Sequence, residues 1–175
     1  SPFFKACESN EHEDVVKLFL RNSRTGGKII NFNYADKESK TGFIKACELG
    51  NDRIVRALIN ASKNGEICFN AKDQKGFTGL IWACYNGHSS VVEVILENAK
   101  GKNIDVNARC ASGFTAFRWA LYVNNIDIYG DEHVYSTFIK FHGKVDIDFK
   151  SSGGYDLDHN SFWTIGHNCK KSSGQ

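Results

Sequence analysis

The sequence predicts an all-α solenoid, a stack of short helix pairs repeated along the chain, and three observations carry that expectation. First, "TGFIKACELGNDRIVRALINA" (41–61) aligns with "TGLIWACYNGHSSVVEVILEN" (78–98) without a gap at an offset of 37 residues, and "GFTAFRWALY" (113–122) aligns with "GFTGLIWACY" (76–85) at the same offset. Second, each unit holds two apolar runs at helical spacing, separated by a glycine. Third, each run is about nine residues, below the roughly 12–15 that an isolated helix needs for marginal stability in water. Such helices persist only by stacking on neighbouring units.

The elements follow in chain order. "SPFFKACESNEHEDVVKLFL" (1–20) is the first unit, entered part-way, with one extra residue between its runs. Repeats are expected at about 1–33, 34–70, 71–107 and 108–148. Thr41, Thr78 and Thr115 precede the first apolar run of their units, where a hydroxyl accepts from the unpaired amides of a helix start. Leu80, Ala83 and Cys84 fall on one face at spacings of three and four. Gly50 and Gly87 end the first helix, where the chain turns left-handed. Asp52 or Ser89 starts the second, and Ser90-Val91-Val92-Glu93 has the form of a capping box. Val91, Val92, Ile95 and Leu96 supply its apolar face, matched one unit earlier by Ile54, Val55, Leu58 and Ile59. Asn33, Asn70 and Asn107 recur at the same period. The fourth unit carries about six extra residues, within "NNIDIYGDEH", between its two runs.

Composition excludes several classes. The chain is 41% hydrophobic and 24% charged with a formal charge of +2, and it has no concentrated basic face of the kind that grips duplex nucleic acid. No apolar stretch reaches the roughly 18 residues of a membrane span, and no secretory leader is visible. The chain starts at Ser1 and holds no methionine, so it is expected to be part of a longer polypeptide. Cys7, Cys47 and Cys84 each follow an alanine, one per unit, and are expected to pack as small buried hydrophobes. That reduced state suits a cytoplasmic or nuclear location. Cys68 and Cys110 sit in loop or finger segments without an obvious base, and Gly153-Gly154 lacks the rest of a phosphate loop. The six histidines show no metal-binding spacing; His159 and His167 beside Asp158 and Cys169 form a weak cluster. No enzyme activity, cofactor or metal is expected.

Asp73-Gln74-Lys75-Gly76-Phe77-Thr78, followed by Leu80, Ala83, Gly87-His88, Val91-Val92, Ile95-Leu96 and Val106-Asn107, resembles the ankyrin repeat. The resemblance extends from Ser1 to about Asp148 and implies antiparallel helix pairs with turn or hairpin fingers projecting at right angles. Three departures stand out. The family's Thr-Pro-Leu-His reads SPFF, TGFI, TGLI and TAFR in successive units, so its inter-turn histidine is missing, and Phe4, Ile44 and Ile81 are expected to replace it by apolar packing. The unit exceeds the family's usual length by about four residues, in "NASKNGEICFN" and "ENAKGKNIDVN", which should loop out. Residues 149–170 read as a degenerate cap, with Phe162, Trp163 and Ile165 packing back on the fourth unit, and 171–175 as a tail of a single domain spanning 1–171.

The resemblance further implies a groove between the fingers and the outward side of each first helix. Carried over residue by residue, it offers Lys40, Lys75, Phe77, Tyr85, Asn86, Ser112, Phe114, Tyr122 and Tyr155 to a protein or peptide partner. Charges dominate the first two units, and aromatics the later ones. Phe77 and Phe114 have a second role open to them, bracing neighbouring fingers. Trp82 and Trp119 are expected to pack against the helix layer between units. Contiguous exposed aromatic side chains have the composition of interface hot spots. Two rivals accompany this reading. One is a nucleotide or oligoadenylate sensor using Lys75, Arg109 and Arg118 beside the rings; the other is a structural spacer in a longer array. The family is also a target of asparagine hydroxylation, for which Asn107 fits better than Asn33 or Asn70.

Overall fold

The computed structural model describes residues 1–23, 30–62, 65–124 and 134–149. The "NNIDIYGDEH" insertion beyond Asn124, the expected cap and tail, Tyr155, His133 and the His159–His167–Cys169 group lie outside the described residues. Within them the chain is a helical solenoid. First helices α1 (Pro2–Ala6), α3 (Gly42–Glu48), α5 (Gly79–Tyr85) and α7 (Ala116–Asn124) pack in series. Second helices α2 (Glu13–Asn22), α4 (Asp52–Ala61), α6 (Ser89–Asn98) and α8 (Val134–Lys140) form a parallel series behind them.

Local chemistry explains the boundaries. Thr41 and Thr78 accept at Oγ1 from the amides of Ile44 and Ile81, each at 3.3 Å, and Thr115 does the same for Arg118 at 3.3 Å. Gly50 (φ +73°) and Gly87 (φ +77°) reverse the chain after α3 and α5. Gly50 has a second reason to lack a side chain, because a Cβ there would meet His88 Nδ1 of the next unit at 2.7 Å. The capping-box expectation fails. The helix begins at Ser89 with His88 as its N-cap, so Ser90 already lies inside the first turn.

The core runs continuously between units. Phe4, Ile44 and Ile81 are buried where the family's histidine would stand. A size rule links successive first helices. A Cβ on Gly79 would meet Phe43 Cε1 at 2.7 Å and Cys47 Sγ at 2.9 Å; one on Gly42 would meet Cys7 Sγ at 2.9 Å and Phe3 Cε1 at 3.2 Å. Where the preceding unit carries Leu80 instead of phenylalanine, the same position tolerates Ala116. Phe32 and Phe69 close the lower core by edge contacts with Phe3 and Phe43, each with ring centres 4.9 Å apart.

The lengthened segments after the second helices do more than loop out. They bury Ile67, Phe69, Ile104 and Val106, and Lys102 Nζ donates to the Ser62 carbonyl of the previous unit at 2.6 Å. Asparagines clamp the series together. Asn33 donates to the Glu66 carbonyl at 3.0 Å and accepts from the Cys68 amide at 2.8 Å. Asn70 grips Asn103 and Asp105, and Asn107 grips Asp146 and Asp148, in the same two-bond pattern. The fingers are turns; among the described residues pairing is confined to isolated bridges such as Ala35 with Thr41.

Candidate functional site: the finger and first-helix face of units three and four

The site begins with one carboxylate. Asp73 is buried, and its Oδ1 accepts from the amides of Lys75 (2.9 Å) and Phe77 (2.8 Å), which closes the finger turn. Its Oδ2 accepts from Trp82 Nε1 at 2.8 Å, tying that turn to α5. Gly76 (φ +73°) completes the turn, and a Cβ there would press the Ala111 amide of the next finger at 2.7 Å. Ala111 N donates to the Lys75 carbonyl at 3.1 Å, so finger three sets the position of finger four.

On this frame stands a ladder of six aromatic rings. Phe77 lies between Trp82, Tyr85 and Trp119, with centres 5.1, 5.8 and 5.5 Å away. Trp119 continues the ladder to Tyr85 (5.1 Å), Phe114 (5.4 Å) and Tyr122 (5.7 Å). Tyr85 and Tyr122 are 41% and 54% exposed, one unit apart, while Phe77 is 6% exposed. Arg118 lies 4.3 Å over Phe114, and the Lys75 ammonium 5.2 Å over Trp82.

The sequence-based expectations separate here. Tyr85, Tyr122, Lys75 and Ser112 are exposed on this face, and Phe114 is half-buried beside them. Phe77 takes the bracing role. Lys40 is a correction, being only 6% exposed and ion-paired with Glu48 (2.6 Å) and Glu38 (2.9 Å). Burial pulls the Lys40 ammonium down, but its hydrogen bonds to Glu48 and Glu38 outweigh that and hold it above its ordinary value. Glu48 mirrors it: burial pushes the carboxyl up, and Lys40 and Lys45 together hold it below the usual range. Asn86 is half-buried and spends its amide on the Glu48 carbonyl at 2.8 Å. The tryptophans pack between units as expected, Trp119 of α7 against Tyr85 of α5 and Trp82 within the shared core, and they also wall this face. The spacing Asp73 to Trp82 was the available signal, since a buried indole N–H seeks an acceptor. Trp119 lacks that acceptor: Cys110 occupies the place of Asp73 in its finger, and the buried Trp119 Nε1 has no hydrogen-bond partner among the described residues.

Other chemistry is sparse. Among the described residues no three His, Cys, Asp or Glu side chains are grouped to hold a metal ion, and no helix is long and apolar enough to cross a membrane. Cys7, Cys47, Cys84 and Cys110 are buried free thiols, while Cys68 is exposed. An open cleft of about 720 Å³ between the loops after α6 and α8 is bordered by the Asn107 clamp.

A search of curated proteins found no match. A family model described as Ankyrin repeats (3 copies) matches residues 3–110 and again 67–129, over most of the chain. Its agreement with the stacked helix pairs and turn-built fingers means that the chain belongs to the ankyrin-repeat family.

Proposed function

We propose that this chain is a non-catalytic protein-interaction module that holds a peptide or protein segment against the finger and first-helix face of units three and four. Ankyrin repeats are generally protein–protein interaction modules. The observation that carries the finer reading is the six-ring ladder that ends in two exposed tyrosines one unit apart. Buried rings and bonded fingers hold those tyrosines rigidly, so little conformational freedom is lost on contact. Lys75, Ser112 and Phe114 complete the contact set; Lys40 and Phe77 support it from beneath. In unit two Lys40 and Lys45 are paired with Glu38 and Glu48. The four units over 1–148 belong to a single domain spanning 1–171, and its buried thiols suit a reducing cytoplasmic or nuclear setting.

The test is Tyr85→Ala with Tyr122→Ala in one chain, judged by affinity capture of partners. Both side chains are exposed, so helical content and melting are expected to stay close to the parent while capture falls at least tenfold. Undiminished capture by the folded double variant removes this face from the reading. A thermal-shift screen with nucleotides runs beside it; a ligand-dependent rise that both tyrosine substitutions abolish favours the nucleotide-sensor rival.

A further inference from the structure

We infer that the outer side of α2 is a ready-made stacking surface for one more helix pair of this chain's own repeat type, supplied by polypeptide joined ahead of Ser1. It stands independently of the aromatic face. Two rows of side chains along the second helices carry it. In the first row Val15, Ile54, Val91 and Val134 share one position, and Leu18, Ala57, Val94 and Thr137 lie three residues on. Every later member of that row is buried, yet Val15 and Leu18 are 43% and 54% exposed. In the second row Leu20, Ile59 and Leu96 are buried, and it is the last member, Ile139, that is exposed. The first row therefore meets the preceding unit, and the second row the following one. α2 keeps the apolar residues of an internal interface, and no described residue covers Val15 and Leu18.

A polar group repeats the pattern. The N-cap residues of α4 and α6 reach back to the preceding unit: Asn51 Nδ2 donates to the Cys7 carbonyl at 3.1 Å, and His88 Nε2 lies 3.0 Å from the Glu48 carbonyl. His12 is the N-cap of α2, is exposed, and its ring has no partner among the described residues. An added unit would supply it with the carbonyl at the end of a first helix. The occupant's chemistry follows from the internal interfaces. Its second helix presents an aliphatic pair four apart, as Val16 with Leu20 and Val92 with Leu96 do. Pro2 stands where Gly42 and Gly79 admit a phenylalanine from the preceding unit, so the added first helix carries a leucine there, as unit three does at Leu80.

The experiment joins a copy of residues 78–114 ahead of Ser1 in the 175-residue chain, so that phenylalanine precedes Ser1 as Phe114 precedes Thr115. Hydrogen exchange is followed at the α2 amides, with circular dichroism and melting. The expected result is at least tenfold slower exchange in α2, a rise in helical signal, and a higher melting temperature. Leu18→Asp should cancel the slowing in the extended chain, while leaving exchange in α4 within twofold in the unextended one. A parallel extended chain carrying Pro2→Ala reproduces the Leu80–Ala116 junction. Unchanged α2 exchange in both extended chains overturns the inference, as does an equal effect of Leu18→Asp with and without the extension. Sedimentation showing that the unextended chain pairs with itself through Leu18 also overturns it, because the occupant is then a second copy.

Discussion

Asp73 and Cys110 occupy the same place in successive fingers, and the difference decides how well each finger is built. Asp73 satisfies two turn amides and the Trp82 indole, whereas Trp119 Nε1 is buried without a partner among the described residues. Cys110→Asp should therefore stabilise the chain by about 1–2 kcal/mol, the worth of new hydrogen bonds to a charged group. Urea unfolding measures it, and a loss of stability would mean that α7 does not hold Trp119 as α5 holds Trp82. Glu48 is the other residue whose environment sets a measurable property. Its folded-state carboxyl is held below its ordinary value by Lys40 and Lys45 against the opposing effect of burial. A depressed folded value contributes stability that is complete above the unfolded value near 4.5 and is lost as pH falls through the folded one. Melting temperature should accordingly drop between about pH 5 and pH 3, and Glu48→Gln should shrink that drop while lowering the plateau at neutral pH. An identical acid profile for the variant would show that the pair contributes nothing to acid sensitivity.

At the scale of the element, the spacing between first helices is governed by one pair of positions. Phe43 fills the space that Gly79 leaves, and Leu80 stands one unit before Ala116. Gly79→Ala puts a methyl 2.7 Å from the Phe43 ring and 2.9 Å from Cys47 Sγ, too close for a real contact. The expected cost is about 1–3 kcal/mol of overpacking, offset only in part by alanine's better helix propensity. Adding Phe43→Leu copies the natural Leu80–Ala116 pairing and should recover most of the loss. A double-variant cycle by chemical denaturation gives the coupling directly, and a coupling near zero would contradict the size rule.

At the scale of the whole molecule, units of this size stand because they share a core. Cys7, Cys47 and Cys84 sit one per unit inside it. Burial, with a smaller effect from Glu8, pushes the Cys7 thiol up to about 12, and burial drives the other two well above their usual range. Alkylation of the native chain at neutral pH should therefore modify Cys68 and spare these three, followed by peptide mass mapping. In denaturant the three should become reactive together, as expected where each unit stabilises the next. Rapid native labelling of Cys47, with units on both sides, would contradict a shared core.

Much of this molecule could be read along the chain. The period, the threonine caps, the left-handed glycines and the apolar rows are local signals, because helix starts, stops and faces depend on residues within a few positions of one another. Reading failed where a side chain's fate depends on another unit. Phe77 and Tyr85 are both aromatic and eight residues apart, and Trp119 of the next unit touches both, yet Phe77, enclosed by Trp82, Tyr85 and Trp119, is buried while Tyr85 stays exposed. Lys40 looked like a surface cation until Glu48 was brought onto it. Tyr155 and the expected cap lie outside the described residues. By itself the sequence determined that this chain is an ankyrin-type stack, since a repeating pattern of short-range preferences suffices for that. Only the tertiary structure decided which aromatic rings are wall and which are surface, because exposure is settled by neighbours a full repeat away.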